Sequence, residues 1–146
     1  MTTMKKAIHL AIVLMIFTAT MARSADGPYI PSDAERARWT LFDMRSWKLA
    51  IAAYKQDHGS YPAATTLEEV RAAVEPVYIA KAPMVDAWGR PYRYELTKSG
   101  FRLVSAGADG KFDASSWDAP GQQSSLDADA VVTEQGQFWT RSWQMR

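Results

Sequence analysis

The stretch from Ser32 to Gly59 limits the fold of this 146-residue chain more than any other. Ser32 is placed to accept from exposed backbone N–H groups at a helix start, and Glu35, three residues on, completes a capping box. Gly59 marks the far end, because glycine readily takes the left-handed turn that stops a helix. Between them, Ala37, Thr40, Met44, Trp47, Ile51 and Tyr54 recur at intervals of three or four and form one face. The spacing predicts one long helix over about 32–58, packed along that face.

Beyond Gly59 the elements are shorter and the period changes. Ser60-Tyr61-Pro62 reads as a turn. Thr66 and Glu69 make a second capping box, Leu67, Val70 and Val74 share a face, and Pro76 ends this short helix. Residues 77–90 read as irregular, with Pro83 and Gly89 as breakers. Tyr92, Tyr94 and Leu96 then alternate with Arg93 and Glu95, which is strand periodicity, and Thr97–Gly100 turns the chain into a second strand over Phe101–Val104. Ala106–Leu126 is a long loop rich in Gly, Ser, Asp and Ala, a length usually tied to function, to a metal or to disorder. Ala130–Thr133 and Phe138–Arg141 bracket Glu134–Gln137 as a closing hairpin. Helices followed by antiparallel strands predict an α+β fold: a long N-terminal helix packed on a small antiparallel sheet.

The N-terminus carries a different signal. Lys5 and Lys6 precede an apolar run over Ala7–Phe17, and Thr18–Ser24 is small and weakly polar. That order is a secretory signal peptide over 1–24, cut after Ser24, with Ala22 nearly as good. The apolar run is too short to span a bilayer comfortably, so no stable membrane anchor is expected after cleavage. Residues 25–31 form a short leader and 32–146 the globular domain. Loss of Lys5, Lys6 and Arg23 takes the formal charge from +1 to −2. No nucleic-acid partner is expected from so weak a field. The absence of cysteine excludes thiol catalysis, thiolate zinc and lipoprotein anchoring. A periplasmic or secreted location is expected.

Four segments, in order, carry a resemblance. Tyr54-Lys55-Gln56-Asp57-His58-Gly59-Ser60-Tyr61-Pro62 resembles a Tyr-Lys-x-Asp-x-Gly-x-Tyr-Pro stretch of the major, G-type, pseudopilin of type II secretion. Asp86-Ala87-Trp88-Gly89-Arg90-Pro91-Tyr92-Arg93-Tyr94, Ser105-Ala106-Gly107-Ala108-Asp109-Gly110-Lys111 and Asp127-Ala128-Asp129-Ala130 are similar to later segments of that family. The resemblance implies a pseudopilin-head fold and a calcium site in the loop after the sheet strand. The family begins with a prepilin leader, a Gly before a Phe, and a long apolar helix with an early Glu. The pattern is not found here, and the loop between Gly110 and Asp127 is longer than the family's.

Calcium takes six to eight hard oxygen ligands. By the resemblance, Asp109 and Asp127 match the family's acidic ligands and Asp129 is a third, with the carbonyls of Ala106 and Lys111 completing the shell. Asp113 and Asp118 are extra candidates. The bland alternative is that these aspartates are solvated turn residues.

Other residues point less to chemistry. His58 is read as a helix-end cap. Trp39 and Trp47 are read as packing residues, Tyr61, Trp88, Tyr92 and Tyr94 as core and rim of the sheet. Trp117, Trp139 and Trp143 are read as covering a sheet edge rather than as an exposed patch. No Gly-x-Ser-x-Gly motif is present. The expected function is an exported, non-enzymatic binding or structural domain with a protein partner, a role auxiliary to type II secretion machinery being one form of it. Two rivals are a genuine pseudopilin subunit with an atypical leader and a small secreted hydrolase using the loop carboxylates.

Overall fold

A computed structural model describes residues 27–117 and 125–139. Residues 1–24, expected to be a signal peptide, and Asp118 and Trp143 lie outside the described residues. Residues 27–31 carry no helix or strand.

Helix α1 runs Asp33–His58 behind Ser32, whose hydroxyl accepts from the Glu35 N–H at 3.4 Å while the Glu35 carboxylate takes the Ser32 N–H at 2.9 Å. Gly59 closes it at φ 74°. Helix α2 covers Leu67–Val74, capped in the same reciprocal way by Thr66 and Glu69. Four strands follow: β1 Arg93–Thr97, β2 Gly100–Ser105, β3 Ala130–Thr133 and β4 Gln137–Trp139. They form an antiparallel sheet in chain order. The α+β architecture is as the sequence predicts, with strand and helix ends within a residue or two.

The core follows from the two periodicities. From α1, Met44, Trp47 and Ile51 are fully buried; from α2, Val70 and Val74; from the sheet, Tyr94, Phe101, Leu103, Ala130 and Val132. Leu103 sits opposite Val132, so these residues share the inner face of the sheet. Their neighbours Val104 and Val131, also opposite one another, point to the outer face. Full burial of each such side chain contributes about 1.5–3 kcal/mol.

One expectation fails. Trp39 does not pack inward but is 48 % exposed. Eight residues advance a helix by about 80° beyond two full turns, so Trp39 and Trp47 cannot share a stripe.

The irregular segment before β1 is fixed by side chains of α1. Trp47 Nε1 donates to Pro83 O (2.6 Å), Arg36 Nη1 to Ala87 O (2.6 Å) and Trp88 Nε1 to Asp33 Oδ1 (2.8 Å). The Ala87 N–H donates to Thr40 Oγ1 at 3.1 Å. At the other end of α1, Lys55 Nζ bridges Tyr61 OH (3.0 Å) and Glu134 Oε1 (2.6 Å), tying the helix to the turn between β3 and β4.

Candidate functional site

The long loop leaves β2 at Ser105 and returns to β3 at Ala130, and those two residues are paired across the ladder. Its root is therefore fixed by the sheet. A buried acid fixes the neighbouring turn. Asp86 is 3 % exposed; its Oδ1 accepts from the Trp88 and Arg90 backbone N–H groups, both at 3.0 Å, and its Oδ2 from Ser105 Oγ at 2.7 Å. An aspartate followed by glycine three residues on favours such a side-chain-stabilised turn. The turn aims Arg90, whose guanidinium donates to the carbonyls of Gly107 and, at 2.9 Å, Ala108.

Gly107 is where the two limbs of the loop meet. Its φ is +60°, and a Cβ there would stand 2.5 Å from Ala128 O and 2.8 Å from Leu126 O. Only glycine allows that approach. The Ala108 N–H donates to Leu126 O at 2.9 Å. Backbone carbonyls from both limbs are thus gathered at the base.

Asp129 is the distinctive group. It is 2 % exposed, and its Oδ2 accepts from Trp117 Nε1 (2.5 Å) and from the Asp113 N–H (2.7 Å). Its Oδ1 is buried without a hydrogen-bond partner. Burial pushes its carboxyl above the ordinary range. The two hydrogen bonds oppose that rise, and the charges of Asp113 and Asp109 add to it. The group is a desolvated carboxylate, half satisfied and near other acids, and an unsatisfied buried acceptor is costly.

The other residues named from the sequence are placed differently. Ala106 is buried and its carbonyl accepts from the Gly110 N–H at 3.2 Å, which leaves a lone pair. Asp109 is exposed and accepts from the Lys111 N–H at 2.9 Å. Lys111 is exposed. Asp127 is exposed, and its carboxylate accepts from Ser125 Oγ at 3.1 Å. Asp113 is exposed and caps the short 3₁₀ turn Ala114–Ser116, accepting from Ser115 Oγ at 2.6 Å. Asp113 and Asp109 thus both act on Asp129, whereas Asp127 bonds within its own limb. Among the described residues no three acidic or histidine side chains form a metal-sized cluster. A cation here would need backbone oxygens to complete its shell.

Trp117 covers this acid from above. It packs with Val104 and Val131 on the outer face of the sheet, and the guanidinium groups of Arg93 and Arg102 lie 5.2 and 5.6 Å from its ring centre. Among the described residues of the loop, the Trp117 indole is at once an apolar contact, a cation–π partner and a hydrogen-bond donor. The sequence marks Trp117 as packing but not its bond to Asp129, and it assigns Asp86 and Arg90 no role. The Asp-x-x-Gly spacing signals the first; nothing local signals where an arginine on one loop finds carbonyls on another.

A family model described as type II secretion system (T2SS), protein G, matches residues 28–127. The chain belongs to the type II secretion protein G family. The resemblance drawn from the segments beginning at Tyr54, Asp86 and Ser105 is borne out, and all three lie inside the match. The match stops before Asp129, so the buried carboxylate, β3 and β4 lie beyond it. No curated protein matches the chain. Among the described residues of this protein G-type domain, no helix is long and apolar enough to cross a membrane.

Proposed function

We propose that this protein is a calcium-stabilised, non-enzymatic head of protein G type, which acts by contact with a protein partner of the type II secretion machinery in the cell envelope. The observation that carries the calcium reading is Asp129 Oδ1, a buried carboxylate oxygen with no donor, beside two further acids. In this reading Asp129 and Asp109 supply carboxylate oxygens, and the carbonyls of Ala106 and Lys111 complete the shell. Asp127 joins only if its side chain leaves Ser125. The ion supplies neutralisation: it offsets the repulsion that Asp109 and Asp113 exert on Asp129 and gives the orphaned oxygen a partner. The chain's own residues do the rest. Arg90 holds the carbonyls at the base, Gly107 lets the limbs close, and Trp117 covers Asp129.

Thermal unfolding with calcium and with excess chelator tests this. A ligand that binds only the folded state raises the midpoint by mass action, by about 2.7 kcal/mol of stability at a hundred times its dissociation constant. An unchanged midpoint counts against the metal. Asp109→Ala and Asp129→Ala are expected to abolish the calcium effect.

The non-enzymatic reading is supported by the family match and by the disposition of the acids, which sit under Trp117 or face their own limbs rather than flanking a cleft. The secretion role is supported by the family match alone. Its test is deletion of the chain from its host, with measurement of exported proteins before and after. Unchanged export refutes the secretion role and leaves the calcium test standing.

A further inference from the structure

Helix α1 carries a second apolar stripe. Trp39, Phe42, Ser46, Leu49 and Ala53 fall at alternating spacings of three and four, the arrangement of a helix–helix seam. The stripe lies off the face that packs on the sheet: Trp39, Phe42 and Leu49 are 48, 72 and 62 % exposed. Ser46, its one polar member, donates its hydroxyl to Phe42 O at 3.0 Å and so presents mainly carbon. Beside the stripe lies a groove of about 470 Å³, between Phe42 and Ser46 on one side and Ile79, Lys81 and Pro83 on the other. Exposed cations stand on both shoulders, Arg38 and Arg45 on the helix and Lys81 across the groove. Asp43, the acid that also lines the groove, is partly buried.

We infer that this outer stripe of α1 is a docking seam for an acidic amphipathic helix of a protein partner, its apolar ridge seated along Trp39, Phe42 and Leu49 and its flanking carboxylates facing Arg38, Arg45 and Lys81. The inference rests on the reading that this domain works by contact, and adds the surface and the partner's chemistry. A narrow ridge-and-groove relief suits a helix. A flat lipid surface has no ridge to place in the groove. A second copy of α1 laid antiparallel sets Arg45 and Arg38 against the same basic shoulder, which repels.

The test uses the full chain and a designed four-heptad peptide with Leu at the seam positions and Glu on both flanks, fluorescein-labelled and followed by anisotropy. Saturable binding is expected, weakened at least tenfold when salt rises from about 50 to 300 mM, because the screening length between exposed charges falls from about 14 to about 6 Å. The double variant Phe42→Glu/Leu49→Glu is expected to lose binding at least tenfold. Arg38→Glu/Arg45→Glu is expected to do the same, and to gain affinity for the matching Lys-flanked peptide. All four positions are exposed, so unfolding midpoints should stay near the parent's. No saturable binding, or equal binding by parent and variants, overturns the inference. So does retention on phosphatidylglycerol vesicles without peptide binding, or a dimer that Phe42→Glu/Leu49→Glu abolishes. If export depends on the chain and the peptide does not bind, the seam alone falls. If the peptide binds and export does not depend on the chain, the secretion role alone falls.

Discussion

The two faces of the sheet are held by different physics. On the inner face, α1 and α2 bring Trp47, Met44, Ile51 and Val70 against Phe101, Leu103 and Val132. That contact is apolar, continuous and set by period alone. On the outer face, among the described residues, Trp117 packs on Val104, Val131 and the edge of Phe112, and charged groups ring that small cluster: Arg93, Arg102 and the buried Asp129. The inner face gains from area, which is tolerant of detail. The outer face depends on a few directional contacts, which fail together when one partner is removed.

The contrast can be broken at several points. Trp47→Ala should have the largest effect, about 3–5 kcal/mol by urea unfolding, since it opens a core cavity and also frees Pro83 O. Asp86→Ala strikes the joint between the faces. Loss of an acceptor for two backbone N–H groups and the Ser105 hydroxyl should cost about 2–3 kcal/mol. Trp117→Ala should cost less than Trp47→Ala, because among the described residues fewer apolar side chains pack on it, Val104, Val131 and Phe112. A loss equal to that of Trp47→Ala would falsify the division between a broad inner core and a narrow outer one. Amide exchange sharpens the same point: Trp117→Ala should speed exchange in residues 111–117 and leave α1 protected.

The smallest effect is expected at the exposed clamp. Hydrogen bonds from Lys55, then Tyr61, hold the Glu134 carboxyl below its ordinary range. Its contribution is therefore present above the ordinary carboxylate range and lost as pH falls through the lowered value. Lys55 is raised, first by its bond to Glu134, so its share persists through neutral pH and disappears as pH climbs past the raised lysine value. Glu134→Gln should flatten the acid limb of the stability–pH curve and change little else. An unaltered acid limb would remove the clamp from the account.

Legibility in the sequence divides along the same line. Both capping boxes, the buried stripe from Ala37 to Ile51 and the alternation from Tyr92 to Leu96 are legible, because each is a local pattern that a helix or strand reads directly. Trp39 is the exception on the helix: a spacing of eight from Trp47 suggests a shared face, and the helical angle forbids it. The family resemblance points to Asp129 but not to its burial, which depends on an indole twelve residues away. The Arg90 fork onto Gly107 and Ala108 is invisible for the same reason: it joins positions seventeen and eighteen residues apart through space.

The ladder pairing of Ser105 with Ala130 makes the excursion between them a pedestal-mounted module. Its size is thermodynamically cheap to change, since doubling a flexible closure costs only about 0.6 kcal/mol. Foreign segments spliced between Trp117 and Ser125, outside the anchorage by Arg90, Gly107 and Trp117, should leave the scaffold folded, which makes this position a natural port for grafting peptides onto a rigid carrier.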